Sequence, residues 1–192
     1  DRDLDRVDEL MSEAGWETDA EGYWTKGGER ASITLLADAE NSTDGIVGEV
    51  VQSQATEAGF DFTFDPVDED SLYDAVFAPD YQMFLLTYIA VDNKPITCDV
   101  MCAAGIETGQ NFTFTDVPEA EPYLATLESS LDQGERADAG AEAQRVLADA
   151  AVSLPLDSPP NVLLWDGRLS GPIGDHPVFG PFVNLHEWSI GS

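Results

Sequence analysis

The stretch from Ala31 to Pro66, ASITLLADAENSTDGIVGEVVQSQATEAGFDFTFDP, decides the fold. Its opening residues, Ala31-Ser-Ile-Thr-Leu-Leu36, read as a β-strand, because β-branched and aliphatic side chains fit a pleated surface. From Asp44 to Ala58, Ile46, Val47, Val50, Val51 and Ala55 share one helical face, and Gly59 follows where a helix stop is wanted. Phe60, Phe62 and Phe64 then alternate with Asp61, Thr63 and Asp65 at period two, which predicts a strand with one wet face that ends at Pro66. Strand, helix and strand in immediate succession are the unit of an α/β protein, a mixed sheet flanked by helices.

Upstream, Leu4, Val7, Leu10, Met11 and Ala14 recur at helical spacing, which predicts a helix from Asp3 to Ala14 that Gly15 closes. Gly22 to Lys26 and Ala31 to Leu36 read as the two arms of a β-hairpin turning at Gly27-Gly28. Downstream, a short acidic helix is expected over Glu69 to Phe77, with Leu72, Tyr73 and Val76 inward and Pro79 as its stop. The apolar run Tyr81 to Ala90 then reads as a central strand covered on both faces. Turn residues cluster at Val91 to Pro95, and a polar loop is expected from Glu107 to Asp116. Two helices, Glu119 to Leu131 and Glu135 to Val152, are separated by Gln133-Gly134; Ala139, Ala143, Val146, Leu147 and Ala150 give the second a face suited to close packing on a sheet. Leu154 to Leu156 and Asn161 to Trp165 read as short strands split by Pro159-Pro160, and Asp166 to Ser192 has no strong period and is expected to wrap over a surface.

The 192 residues suit one domain, and a hydrophobic content of 43% with nine Phe, five Tyr and four Trp is enough to close a core. Eight Lys plus Arg against 38 Asp plus Glu leave a net charge of −30, which repels phosphate backbones and anionic membranes and argues against nucleic acid as a partner. The acidic residues are spread along the chain, as on the solvated surface of an exported or salt-exposed protein. No run of apolar residues is long enough to span a membrane.

Nucleophilic catalysis needs a Ser, Cys or Thr beside a base, and the two histidines, His176 and His186, lie in the irregular tail. His186-Glu187 lacks the second His of a zincin, because Ile190 stands there. Neither a phosphate-binding glycine loop nor a calcium loop is spelled out, and no cofactor is expected. Cys98 and Cys102 are four apart with no second pair, so zinc is a poor fit; a local disulfide and a pair of half-buried thiols both suit the spacing. Asp92 leaves the aromatic run just after Tyr88 and just before Asn93. It reads either as an ordinary Asx turn or as a carboxylate that pairs with a ligand ammonium, with Tyr88 as an apolar wall.

Taken in order, the segments resemble the extracellular solute-binding proteins of the dipeptide, oligopeptide and nickel class, family 5 of the ABC importers' receptors. Glu13-Ala-Gly-Trp16, Tyr23-Trp24-Thr-Lys-Gly-Gly28 and Ile33-Thr-Leu-Leu36 are similar to that family's "EAGW, W-x-K-x-G, T-L" passage. Val50 to Gly59 running into Phe60-Asp-Phe-Thr63, and Tyr81 to Tyr88, continue the likeness. Asn111-Phe112-Thr113, Pro118-Glu119, Leu154-Pro155-Leu156 and Gly180 to Asn184 through Glu187-Trp188 follow in family order, although Phe114-Thr115 stand where the family has Gly-Tyr.

The resemblance implies a periplasmic-binding-protein fold, of which residues 1–192 would be the C-terminal lobe, with 165–192 wrapping back toward the missing N-terminal lobe. It implies binding of an oligopeptide or other small solute through Tyr88, Asp92 and Asn93, delivery to ABC permease subunits, a monomeric state, and no enzymatic chemistry. The segment before Asp1 would carry the other lobe and a signal or lipoprotein anchor, placing the protein outside the cell or in the periplasm. The competing reading is a secreted hydrolase domain whose acidic catalytic residues the sequence does not single out.

Overall fold

The computed structural model describes residues 3–78, 80–86, 103–109, 111–156, 162, 164–172 and 180–191, and the chain divides into two units, Asp1–Tyr88 and Ile89–Ser192.

In the first unit, Asp3 caps helix α1 (Leu4–Glu13) by accepting the Arg6 amide at 2.9 Å, and Gly15 takes a positive φ just past its end. An antiparallel meander follows, β1 (Glu17–Thr18), β2 (Trp24–Lys26) and β3 (Glu29–Arg30). Lys26 pairs with Glu29 across Gly27-Gly28, whose φ values of 64° and 88° make the two-residue turn that matches strand twist. The hairpin therefore closes on Glu29-Arg30. Ser32 onward, expected as its second arm, instead forms β4 (Ser32–Asp38), the centre of a separate sheet.

Helix α2 (Ser42–Glu57) leads from β4 to β5 (Asp61–Val67), which runs parallel to β4 in register from Ser32 opposite Asp61 to Asp38 opposite Val67. Pro66 does not end the strand, because β5 is an edge strand where the missing amide is tolerated. Helix α3 (Glu69–Phe77) returns the chain to β6 (Met83–Phe84), parallel to β4 on its other side, giving the order β5-β4-β6. The central strand is thus β4, whose Leu35 and Ala37 are fully buried. Tyr81 to Ala90 was expected in that place; over the described residues only Met83-Phe84 pair, at the sheet's edge, and Met83 and Leu86 are exposed.

Two details explain where helix faces differ from the periodic reading. A Cβ on Gly48 would sit 2.2 Å from the Phe64 ring, so the backbone of α2 lies directly on that ring and the contact line runs through Gly48. Ile46 and Val50 consequently turn outward, with 68% and 48% of their surface exposed, while Val47, Val51 and Ala55 stay half-buried. In α3, Leu72 and Val76 are buried as expected, but Tyr73 is exposed and stacks on the exposed Phe77.

The second unit is built on a helical pair. After α4 (Ala103–Thr108), helices α5 (Glu121–Ser129) and α6 (Gln133–Asp149) pack around Val117, Ala120, Leu124 and Ala143, with Tyr123, Leu127, Val146, Leu147 and Val152 flanking. Asp132 caps α6 through the Glu135 amide, so Gln133-Gly134 form its first turn and do not separate the helices. The small-residue face of α6 packs on a helix where a sheet was expected, because Ala139 and Ala143 let α5 approach closely. Leu154–Leu156 carry no strand pairing, nor do the described residues 162, 164 and 165; the pairing lies instead between β7 (Leu169–Ser170) and β8 (Ser189–Ile190). Buried Asn184 organises this last part: its Nδ2 donates to Gly171 O and to Glu187, and its Oδ1 accepts from Trp188 Nε1 at 2.9 Å. Among the described residues no helix is long and apolar enough to cross a membrane.

Candidate functional site

In a sheet ordered β5-β4-β6, the chain leaves β4 toward one side and later returns to the other, so the strand order reverses at β4. Open α/β sheets bind ligands outside the carboxyl ends of their strands at such a reversal, where connecting loops diverge and leave a crevice. Here that edge is formed by Asp38-Ala39-Glu40-Asn41 after β4 and Leu85-Leu86 after β6.

Both strands hold their hydrogen bonds to the last residue, with the Ala39 amide on Val67 O at 2.8 Å and the Leu85 amide on Leu36 O at 2.9 Å. Asp38 Oδ1 accepts the Glu40 amide at 2.9 Å, and Asn41 Oδ1 caps α2 by accepting from Thr43 N at 3.0 Å and Asp44 N at 3.4 Å. Burial, and then the charge of Asp38, push the Asp44 carboxyl above its ordinary value. The basic side chains described in this unit are engaged elsewhere, Lys26 on Ala14 O, Arg30 on Asp19 and Glu21, and Arg6 on Glu9. The edge is therefore rich in hydrogen-bond acceptors and negative charge, which suits amide and ammonium donors.

β6 reaches this edge by a device absent from the periodic pattern. Gln82 Oε1 accepts from Thr34 N at 2.7 Å and its Nε2 donates to Ser32 O at 3.0 Å, so one side-chain amide replaces a peptide of the ladder just before β6 begins. Gln52 does the same service for β5, its Oε1 accepting the Phe64 amide. A lone glutamine at the start of an apolar run or on a helix carries no sequence signal for this, since its amide would read the same if it faced solvent.

The residues expected to bind ligand, Tyr88, Asp92 and Asn93, and the cysteines Cys98 and Cys102, lie outside the described residues. They follow β6 in sequence, after the strand that ends at the edge just described. His176 also lies outside, whereas His186 is exposed with Nε2 3.7 Å from Glu187 Oε1. Among the described residues no three His, Cys, Asp or Glu side chains are grouped to hold a metal ion. Asn111, read as part of a polar loop and of a family-like Asn-Phe motif, is 1% exposed and ties its turn together: Nδ2 donates to Thr115 O, and Oδ1 accepts from Thr113 N and Oγ1. Phe114 in that turn has φ 50°, the left-handed conformation that glycine adopts freely.

This arrangement is the fold of the periplasmic-binding proteins. The chain aligns along its whole length with 38% of the oligopeptide-binding protein AppA of Bacillus subtilis, solved with a nonapeptide, at a TM-score of 0.77 and 18% identity. It aligns over 97% of its length with 39% of NikZ of Campylobacter jejuni, solved with Ni(L-His), at a TM-score of 0.76 and 15% identity. A third similar structure, the periplasmic binding protein MelB of Agrobacterium fabrum with stachyose, matches 78% of this chain and 25% of its own, at a TM-score of 0.61 and 19% identity. The chain thus spans about two fifths of the length of the first two, and at these identities the fold is what is shared. By sequence, no protein-family model matches and no curated protein does.

Proposed function

We propose that residues 1–192 are the C-terminal lobe of an exported solute-binding protein that captures an oligopeptide and hands it to the permease of an ABC importer. The observation that carries this reading is the alignment of the entire chain with part of an oligopeptide-binding protein, taken with family motifs that occur in the same order along the sequence. The structures similar to this chain hold a nonapeptide, a nickel–histidine complex and a tetrasaccharide, so the fold alone does not choose the solute. The choice of peptide rests on the acceptor-rich edge after β4 and on Asp92, which follows β6 in sequence and would pair with the ligand's terminal ammonium. Tyr88 would wall the same end of the peptide and Asn93 would hydrogen-bond its backbone. Closure of the missing N-terminal lobe over this edge would exclude water, without which a charge-assisted pair contributes little. An anchored or periplasmic location follows from this role, and the acidic surface suits it.

Titration calorimetry with the full-length protein tests the reading. Asp92→Ala should weaken binding of free-amine peptides by about tenfold or more, from the ~1.5–3 kcal/mol of one charge-assisted bond, and leave N-acetylated peptides nearly unaffected. Equal weakening of both sets would remove Asp92 as the ammonium partner.

A further inference from the structure

At one place in the sheet a side chain makes the bonds that a ladder normally takes from the main chain. Over the described residues β6 pairs with β4 through Met83 opposite Leu35 and Phe84 opposite Leu36, followed by the Leu85 amide on Leu36 O at 2.9 Å. Continued two residues back, that register sets Tyr81 opposite Ile33. A residue so placed in a parallel ladder donates its amide to the Ser32 carbonyl and accepts the Thr34 amide with its own carbonyl. Gln82 makes both bonds with its side chain, Nε2 on Ser32 O at 3.0 Å and Oε1 from Thr34 N at 2.7 Å. The main chain is thereby released from the ladder at Tyr81, whose ring packs edge-on against Phe84 with centroids 4.8 Å apart. One residue earlier, the Asp80 amide still donates to Ala75 O at the end of α3. A two-residue strand thus gains one more rung without lengthening its backbone.

The carboxyl end of this strand, Leu85-Leu86, is one wall of the crevice whose other wall is Asp38 to Asn41 after β4. So short an edge strand has few bonds to hold it, and segments with few bonds open locally at low cost. Each opening moves that wall, and a solute that needs both walls is captured only by the fraction of molecules in which β6 is seated, which lowers its apparent affinity by that fraction. We infer that Gln82 is a positioning residue for solute capture: its amide seats β6 on β4 and so sets one wall of the crevice before the solute arrives. Gln82 stands at the amino end of β6, the end away from the crevice, and acts through the strand. Both of its bonds matter, because Thr34 N and Ser32 O are successive ladder groups of the central strand.

The inference rests on the proposed capture of an oligopeptide at this crevice. A randomised pool of free-amine nonapeptides is offered to the full-length protein, and the peptide that it retains best, identified by mass spectrometry, serves in stopped-flow binding. Gln82→Ala and Gln82→Met, the second keeping the bulk of the side chain without its amide, should each slow association about threefold or more, as when roughly a third of free molecules hold β6 in place, with dissociation changed less. Trp24→Phe removes a bond to Ala58 O before the amino end of β5, so it should lower stability and leave both rates as they are. Unchanged association in the two Gln82 variants would overturn the inference while the capture of peptide stands. So would an equal loss in Trp24→Phe, which would make the effect one of general stability, or a loss confined to dissociation, which would place the action of Gln82 in the bound complex. A pool from which the unaltered protein retains nothing would sink the reading of peptide capture, and this inference with it.

Discussion

Gly48 and Ala151 test the packing and the backbone at single positions. Any side chain at 48 must displace the Phe64 ring, whose atoms would lie 2.2–2.5 Å from a new Cβ. Gly48→Ala should therefore cost ~1–3 kcal/mol, in the range of overpacked cores, read by denaturant unfolding. Phe64→Leu should recover part of that loss in the double variant, because it frees the ring's volume. Ala151 follows the last turn of α6 with φ 52°, the position where helices favour glycine. Ala151→Gly should raise stability by up to ~1 kcal/mol, because the left-handed region costs an L-residue about 1–2 kcal/mol and glycine's freedom in the unfolded chain offsets some of the gain. Phe114 illustrates what the sequence could and could not say. The family's glycine at that place suggests a left-handed turn, and the turn is kept at φ 50° although the residue is Phe. The reason lies in the Asn111 side chain, whose bonds to residues 113 and 115 hold the turn around it.

Elements were legible where one strong signal governed them. Strand β4, helix α2, strand β5 and helix α3 lie close to their expected places, because their hydrophobic patterns are strong, although β5 runs one residue past the Pro66 stop. Errors came where partners far apart in sequence decide. Nothing in Ala31 to Leu36 says whether its partner is the strand before it or the one beyond the next helix. The apolar run after Tyr81 looks central because its hydrophobicity does not reveal that, over its described residues, it joins the sheet through two paired residues and a glutamine. That joint can be measured. Gln82→Ala removes two hydrogen bonds to β4, and hydrogen exchange at the Thr34 amide should accelerate while the β4–β5 pairing around Leu35 and Phe64 keeps its protection. Unchanged exchange at Thr34 would mean that another group satisfies that amide. Trp24 makes a similar long-range tie, its Nε1 on Ala58 O at 2.7 Å and its amide on Gly59 O. Trp24→Phe should therefore cost about 1 kcal/mol for the side-chain bond, beyond any change in packing. The ligand-binding residues named from the sequence lie outside the described residues, and their place in sequence soon after β6 is the reason to test them by substitution.

For the whole molecule, charge is the dominant property. A net charge of −30 on 192 residues makes carboxylate repulsion a destabilising force in the compact state, since few basic groups are present to offset it. Raising salt shortens the screening length from ~30 Å at 0.01 M to ~3 Å at 1 M, so the melting temperature should climb steadily over that range; a flat profile would mean that the carboxylates are locally compensated. Acid acts with two signs. Asp19, held below its ordinary value by the Tyr23 amide and the Arg30 guanidinium, and Asp166, held down by Arg168, stabilise the fold above the unfolded carboxylate pKa and lose that contribution as pH falls through their folded values. Asp44, raised by burial and by Asp38, works in the other direction and is relieved by protonation. Mild acidification should thus stabilise the protein by reducing repulsion before further acid undoes the Asp19 and Asp166 contacts. A maximum in melting temperature below neutral pH at low salt, and its flattening at high salt, would show this.

Binding without bond chemistry is the central claim, and one measurement addresses it most directly: equilibrium dialysis of the full-length protein against a defined peptide mixture, followed by mass spectrometry of what the protein retains and what the solution holds. The account predicts peptides retained at no more than one per protein, released intact on unfolding, with no new fragments in solution. Shortened peptides accumulating with time, or no peptide retained at any concentration, would contradict it.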